Sequence, residues 1–235
     1  MPIIFTQPYF YIINAPYGVS PLSAEGAALL LRMDGEDGST VFTDELGNTI
    51  SRYGNVRMST TTAKFGTSSA YFDGAGDYLV MPVSSSFGFG TGDFTIELWF
   101  NCTNGAKQTG ALFDMRDPGN WQAMKPTIIF GARQVYFSSA GVTKATSAVL
   151  PDNTWHHVAH TRSGGISRYF INGVLIGTVA DTNNYGSASD AVIGQVSEAR
   201  TTWDGYFAGY IDDVRVMKGT AAYTASFTPP GNTAQ

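Results

Sequence analysis

The feature that most constrains this chain is its punctuation. From Ala27 onward, short runs of β-branched and aromatic residues are separated by Gly, Asn, Asp, Ser and Pro, and hardly any stretch keeps a helical period. Such a chain is expected to be all-β. Phe94, Ile96, Leu98 and Phe100 alternate with Asp93, Thr95, Glu97 and Trp99, the period of two expected of a strand with one face on the core. Further strands are expected at Leu29–Met33, Ala70–Asp73, Tyr78–Met81, Ala111–Met115, Thr127–Phe130, Gln134–Ser138, Trp155–Arg162, Ser167–Ile171, Leu175–Ala180, Ala191–Ile193 and Tyr206–Met217. Asn172-Gly173 supplies both positive φ values of a type I′ turn, so residues 167 to 180 are expected to form a hairpin. So many short strands make a sandwich or a barrel.

Composition narrows the function classes. With 43% hydrophobic and 14% charged residues in 235, the chain has enough apolar material for a core, and disorder is excluded. The single Cys102 has no intramolecular disulfide partner, which fits assembly in a reducing compartment. A net charge of −5 offers no general attraction to phosphate backbones, so nucleic acid is not an expected partner. No run of eighteen apolar residues occurs, so membrane insertion is not expected. Residues 1 to 24 carry no charge, are broken by Pro2, Pro8, Pro16 and Pro21, and lack the basic start of a secretory signal; nothing is expected to be cleaved off. Phe5, Tyr9, Phe10, Tyr11 and Tyr17 give this N-terminal arm much apolar surface, which docks on an assembly partner or folds back on its own domain.

Several segments occur in a telling order: Lys64-Phe65-Gly66, Ala70-Tyr71-Phe72-Asp73-Gly74-Ala75-Gly76-Asp77-Tyr78-Leu79, Phe94-Thr95-Ile96-Glu97-Leu98-Trp99, Trp155-His156-His157-Val158-Ala159, Tyr169-Phe170-Ile171-Asn172-Gly173-Val174-Leu175 and Gly209-Tyr210-Ile211-Asp212-Asp213-Val214-Arg215-Val216. Together they resemble the successive motifs of laminin-G-like domains of the concanavalin A-like lectin/glucanase superfamily. The resemblance covers about residues 27 to 218 and implies a jelly-roll sandwich of two antiparallel sheets, with an irregular arm at 1–26 and an extension at 219–235. The flanks Leu29–Gly35 and Lys218–Pro230 resemble the version of this domain in tailed-phage virion proteins. That likeness implies a virion protein, assembled in multiple copies in the host cytoplasm, with other capsid or tail subunits as partners.

Catalytic chemistry finds little support. Hydrolases of this fold carry Glu-x-Asp-x-x-Glu or Glu-x-Asp-x-Glu on one strand; here Glu25, Glu36, Glu45, Glu97 and Glu198 are scattered, and none has Asp two residues later. His156 and His160 would stand about 13 Å apart along a strand, too far to share a zinc ion. These histidines are expected to be ordinary sheet residues. Asp34–Glu45 imitates an EF-hand loop only superficially, since Ser39 stands where Gly is required. Asn101-Cys102-Thr103 is a formal glycosylation sequon that carries no weight without a secretory signal.

Two binding expectations remain. Strict alternation sets Asp212 on one face with Tyr210, Val214 and Val216, and a buried carboxylate there must meet a cation or several N–H groups. The resemblance implies a structural calcium held by Asp212 with groups near Met33 or Asp34 and near Gly66; loop amides are the alternative. For glycans, the loop aromatics Trp121, Tyr136, Tyr185, Trp203 and Tyr206 are the candidates, whereas Trp99 and Trp155 are expected to be packed. The resulting expectation is a non-enzymatic virion surface protein, a capsid decoration protein or else a tail-associated adhesin for host surface glycans. The missing shaft of a tail fibre favours decoration.

Overall fold

A computed structural model describes residues 22–103, 105, 109–117, 120, 122–196 and 205–231. Within them lie fifteen strands: β1 Ala27–Leu31, β2 Ser51–Tyr53, β3 Arg57–Ser59, β4 Ser69–Asp73, β5 Tyr78–Ser84, β6 Phe94–Cys102, β7 Thr109–Asp114, β8 Thr127–Gly131, β9 Gln134–Ser139, β10 Val142–Thr146, β11 His156–Ser163, β12 Ile166–Ile171, β13 Val174–Ala180, β14 Ser189–Ile193 and β15 Ala208–Lys218. One short 3₁₀ turn, Ser85–Phe87, follows β5. Among the described residues no helix is long and apolar enough to cross a membrane.

The strands form two antiparallel sheets. One runs β13-β12-β11-β6-β15-β4-β3, with β1 also paired to β15; the other runs β10-β9-β8-β7-β14-β5-β2. Leu29, Ile96, Leu98, Phe100, Val158, Ile211, Val214 and Val216 from the first sheet meet Leu79, Met81, Leu112, Ile128, Phe130, Phe137 and Ile193 from the second in one core. This is the all-β jelly-roll sandwich that the family resemblance implied, and one of the two architectures, sandwich or barrel, open to so many short strands. The hairpin is also as expected: β12 pairs with β13, and Asn172 and Gly173 take φ of 49° and 76°. Strands β2, β3 and β10 went unseen in the sequence because they are short, polar edge strands with no apolar alternation to betray them.

Two departures shape the rest of the molecule. First, β15 does not alternate strictly. Asp213 has φ 47°, and the register against β6 slips between Asp212, opposite Trp99, and Arg215, opposite Glu97. This bulge inserts one residue, so Ile211, Val214 and Val216 all enter the core while Asp212 and Arg215 share the outer face. The expected grouping of Asp212 with Val214 and Val216 is therefore corrected.

Second, β6 is buried on both faces, not one. Residues 219–230, set apart as an extension in the sequence, lie across the outer face of β6, β11 and β12. The Thr95 hydroxyl donates to the Thr220 carbonyl at 2.9 Å, that of Thr161 to the Tyr223 carbonyl at 2.7 Å, and the Phe227 N–H to the Gly173 carbonyl at 2.9 Å. Tyr223 and Phe227 stack at 3.5 Å and 3°, and both meet Phe170 and His157 edge-on. A side chain at Gly173 would collide with the Phe227 carbonyl, so the type I′ turn also seats the strap. Tyr223→Phe, which removes a hydrogen bond to a buried carboxylate, is expected to cost about 1.5–3 kcal/mol. Truncation before Thr220 should lower the melting temperature further; an unchanged melt for the truncated chain would show that the strap adds nothing to the fold.

Candidate functional site

The bulge sets up the first site. Asp212 faces outward beside Trp99 yet is fully buried, because the segment after β3 folds over it. Its Oδ2 accepts the Lys64 N–H at 2.8 Å and the Phe65 N–H at 3.2 Å, and its Oδ1 accepts the Asp213 N–H at 2.9 Å. Asp34 Oδ1 accepts the Thr67 N–H at 2.7 Å, and the Met33 carbonyl, on a residue with φ 56°, accepts the Ser68 hydroxyl at 2.8 Å. Gly66, at φ 61°, presses against the Asp34 carboxylate, where any Cβ would clash. The four residues named for calcium thus converge on one loop.

Burial first, then the Asp213 and Asp34 charges, push the Asp212 pKa well above the usual carboxylate range. Arg32 Nη1 lies 3.9 Å from Asp213 Oδ1, and Lys64 Nζ sits 4.1 Å over the Trp99 ring. Hard oxygen donors suit calcium by chemistry. Asp212, Asp34 and the Met33 carbonyl accept N–H or O–H groups here, and among the described residues no three His, Cys, Asp or Glu side chains are grouped to hold a metal ion. Backbone N–H groups of the 64–67 segment and of Asp213 thus gather around the two carboxylates. Asp212→Asn leaves one oxygen where two accept N–H groups, and it is expected to cost about 1–3 kcal/mol in a thermal melt at neutral pH. Were calcium bound by the folded state alone, adding it at 100 times its Kd would stabilise by about 2.7 kcal/mol. Identical melts with calcium and with chelator are expected for an amide cradle.

The second cluster is sealed. Glu97 is fully buried; Oε1 accepts Nε of Arg215 at 2.7 Å, while Oε2 faces Nε2 of His157 at 3.1 Å and accepts the Tyr223 hydroxyl at 2.8 Å. Burial works to raise its pKa, but His157, Arg215 and Tyr223 outweigh it and hold the carboxyl below its ordinary range. The carboxylate is thus enclosed between β6 and the strap.

The histidines have separate partners. His156 Nε2 is 3.0 Å from the Pro151 carbonyl, and His160 Nε2 is 3.0 Å from Ser167 Oγ, whose hydroxyl in turn donates to Asp181. Burial drives the His160 pKa down to about 3. The unfolded imidazole takes up its proton near 6.5, so stability falls as the pH drops from about 6.5 towards 3, by about 1.4 kcal/mol per pH unit once the unfolded imidazole is charged. A His160→Gln variant, which keeps a polar partner for Ser167, is expected to show a shallower loss of melting temperature across that window; an unchanged slope would remove His160 from the account.

The loop aromatics divide. Tyr185 is not exposed: its hydroxyl donates to Asp181 at 2.7 Å and the Arg162 guanidinium lies 4.5 Å from its ring, so the buried ion pair draws it into the core and it is corrected as a glycan platform. Tyr136 is half-buried on β9, its hydroxyl bonded to Gln134. Trp121 and Trp203, like Phe5, Tyr9, Phe10, Tyr11 and Tyr17 of the arm, lie outside the described residues. Trp99 is buried as expected, whereas Trp155 is half-buried just ahead of β11.

Tyr206 belongs to something the sequence did not show. Tyr53 of β2 is paired with Tyr78 of β5, and their rings stack at 4.5 Å and 4°; Tyr206 follows at 6.5 Å and 32°. Tyr53 is 46% exposed and the other two are half-exposed. The three rings form a ladder on the outer face of the seven-stranded sheet, since Leu79 on β5 points the other way into the core. Recognising it needed β2, whose three residues carry no strand signature.

Residues 73–222 match the Laminin_G_3 family model, described as the concanavalin A-like lectin/glucanases superfamily. The chain belongs to this family. A search of curated proteins returned no match. Among solved structures, domain 4 of AbnA, an extracellular GH43 arabinanase from Geobacillus stearothermophilus, in complex with arabinotriose, is similar with a TM-score of 0.61 at 20% identity over 83% of this chain and 94% of that one. The binding domain of botulinum neurotoxin serotype D/C VPI 5993 has a TM-score of 0.62 at 14% identity over 85% of this chain. A botulinum neurotoxin DC binding domain in complex with SialylT gives 0.59 at 13%. This chain spans about half of either neurotoxin structure, 50% and 49%. At these identities the likeness is one of fold.

Proposed function

We propose that this laminin-G-like sandwich is a non-enzymatic glycan-binding module displayed on the surface of a tailed-phage virion. The observation that carries the binding half is the Tyr53–Tyr78–Tyr206 ladder. The outer face of Tyr53 and the rims of the other two rings, with their phenolic hydroxyls, offer apolar area for the C–H face of a sugar and polar groups for its hydroxyls. The relative solved with arabinotriose and the one solved with SialylT support the same reading. The sealing of Glu97 beneath the strap supports the absence of hydrolysis, which requires two accessible carboxyl groups flanking the scissile bond.

The virion half rests on the likeness of Leu29–Gly35 and Lys218–Pro230 to tailed-phage proteins. There the chain serves as a capsid decoration protein docked through residues 1–24, or as a tail-associated adhesin; the ladder favours the adhesin, and antibody label over head or tail separates the two.

Glycan-array binding is expected for the parent chain, with Tyr53→Ala and Tyr206→Ala each weakening it about tenfold, equivalent to about 1.4 kcal/mol, at nearly unchanged melting temperature. Incubation with laminarins, agars, alginates and host surface glycans is expected to release no reducing ends. Release that vanishes in Glu97→Gln would overturn the non-enzymatic reading, and an array without binding would overturn the glycan reading.

A further inference from the structure

The eight-stranded sheet carries an aromatic row of its own. Strand register sets Arg57 of β3 opposite Tyr71 of β4, Tyr71 opposite Tyr210 of β15, and Tyr210 opposite Asn101 of β6. All four point outward, because their neighbours Met58, Phe72, Ile211 and Phe100 are in the core. The row therefore crosses four adjacent strands, about 14 Å at the usual strand spacing. The Tyr71 and Tyr210 rings lie 5.1 Å apart at 46°, both half-exposed, and the Arg57 guanidinium sits 4.8 Å over Tyr71.

One accessible polar group in this row lacks the partner that its chemistry calls for. Arg57 is exposed and makes no ion pair with any described residue; its cation–π contact orients the guanidinium while leaving its N–H donors unspent. Asn101, at the far end of the row, is buried, and its Oδ1 is shielded from solvent, so the accessible part of the row is Arg57, Tyr71 and Tyr210. Gly209, where a Cβ would strike the Asn101 carbonyl, keeps β15 close to β6 at this point. The strap covers β6, β11 and β12, and the Lys64–Phe65 segment covers Trp99 and Asp212, so among the described residues the β3–β4–β15 part of this face is left uncovered by either.

We propose that the row binds a carboxylated oligosaccharide: Arg57, held over Tyr71, pairs with the carboxylate, and Tyr210 beside them takes a sugar ring. One fork-shaped cation matches one carboxylate. A polyphosphate backbone, by contrast, needs many cations and meets a chain of net charge −5. The proposal rests on the glycan-binding reading of the fold but not on the tyrosine ladder, which lies on the other sheet.

The test titrates the full chain calorimetrically with a short oligogalacturonate and its carboxyl-reduced counterpart, and with sialyllactose and lactose. At least one acidic sugar is expected to bind at least tenfold more tightly than its neutral counterpart. Arg57→Gln should abolish that preference at an unchanged melting temperature, Arg57→Lys should restore part of it, and Tyr210→Leu should weaken both forms. Tyr206→Ala should leave acidic binding intact, and neutral-glycan binding that Tyr206→Ala does not weaken would count against the ladder and not against the row. The row is overturned if neither acidic sugar binds, if Arg57→Gln changes nothing, or if Tyr206→Ala removes acidic binding as well.

Discussion

The pairing of Glu97 with Arg215 is the interaction on which the outer architecture of the eight-stranded sheet depends. A carboxylate at the centre of β6 is tolerated in a buried setting only with close, hydrogen-bonded cationic partners, and removing one such partner typically costs about 3–5 kcal/mol. Arg215 reaches it because of the bulge at Asp213. Without that extra residue, strict alternation would put Arg215 and Asp212 on opposite faces, so that one of them would turn into the core. One backbone irregularity therefore serves two carboxylates, and Glu97 in turn recruits His157 and the Tyr223 hydroxyl, which brings the strap down onto the sheet.

Inside the sandwich a second cation plays a comparable part. Arg162 is fully buried, and its guanidinium donates to the carbonyls of Gly90, Gly92 and Asn183 while lying 3.7 Å from Asp181. Asp181 also accepts from Ser167 and Tyr185, so loops from distant parts of the chain are tied to one strand of the first sheet. Neutral His160 completes the network beside that cation, which is consistent with its depressed basicity. The cost of enclosing these charges is offset by filling nearly every donor and acceptor.

Alternation, turn residues and ordered motifs made the sandwich legible in the sequence, because they are local signals: the Asn172-Gly173 turn and the apolar face of β6 need no tertiary information. The bulge was not legible, since nothing in Ile211-Asp212-Asp213-Val214 distinguishes a slipped register from a regular one. Hence the convergence of Asp212, Asp34, Met33 and Gly66 could be anticipated from resemblance, but the face and the amide partners could not. Tyr185 misled for a related reason. A tyrosine in a polar loop reads as exposed until Asp181 and Arg162 are known to lie together in the core. The tyrosine ladder and the Arg57–Asn101 row escaped notice because each depends on a three-residue edge strand.

Those two edge strands also explain why both aromatic surfaces exist at one side of the sandwich. β2 closes one sheet and β3 the other, and only the turn at Gly54–Val56 separates them. Asp77 fixes that turn: fully buried, it accepts the Asn55 N–H at 2.6 Å through Oδ1 and the Asp73 N–H at 3.0 Å through Oδ2. A side chain at Gly54 would strike the same carboxylate. Asp77 thus joins the β2–β3 turn to the β4–β5 turn; Tyr53 and Arg57 flank the first, while Tyr78 follows the second and Tyr71 stands two residues before the end of β4. Each tyrosine surface takes one residue from the strands that meet at each turn, so their geometry is set jointly by a single carboxylate. Burial raises the Asp77 pKa while the N–H groups of Asp73 and Asn55 oppose the shift, which is the balance expected of an acid kept inside the fold for its acceptor oxygens.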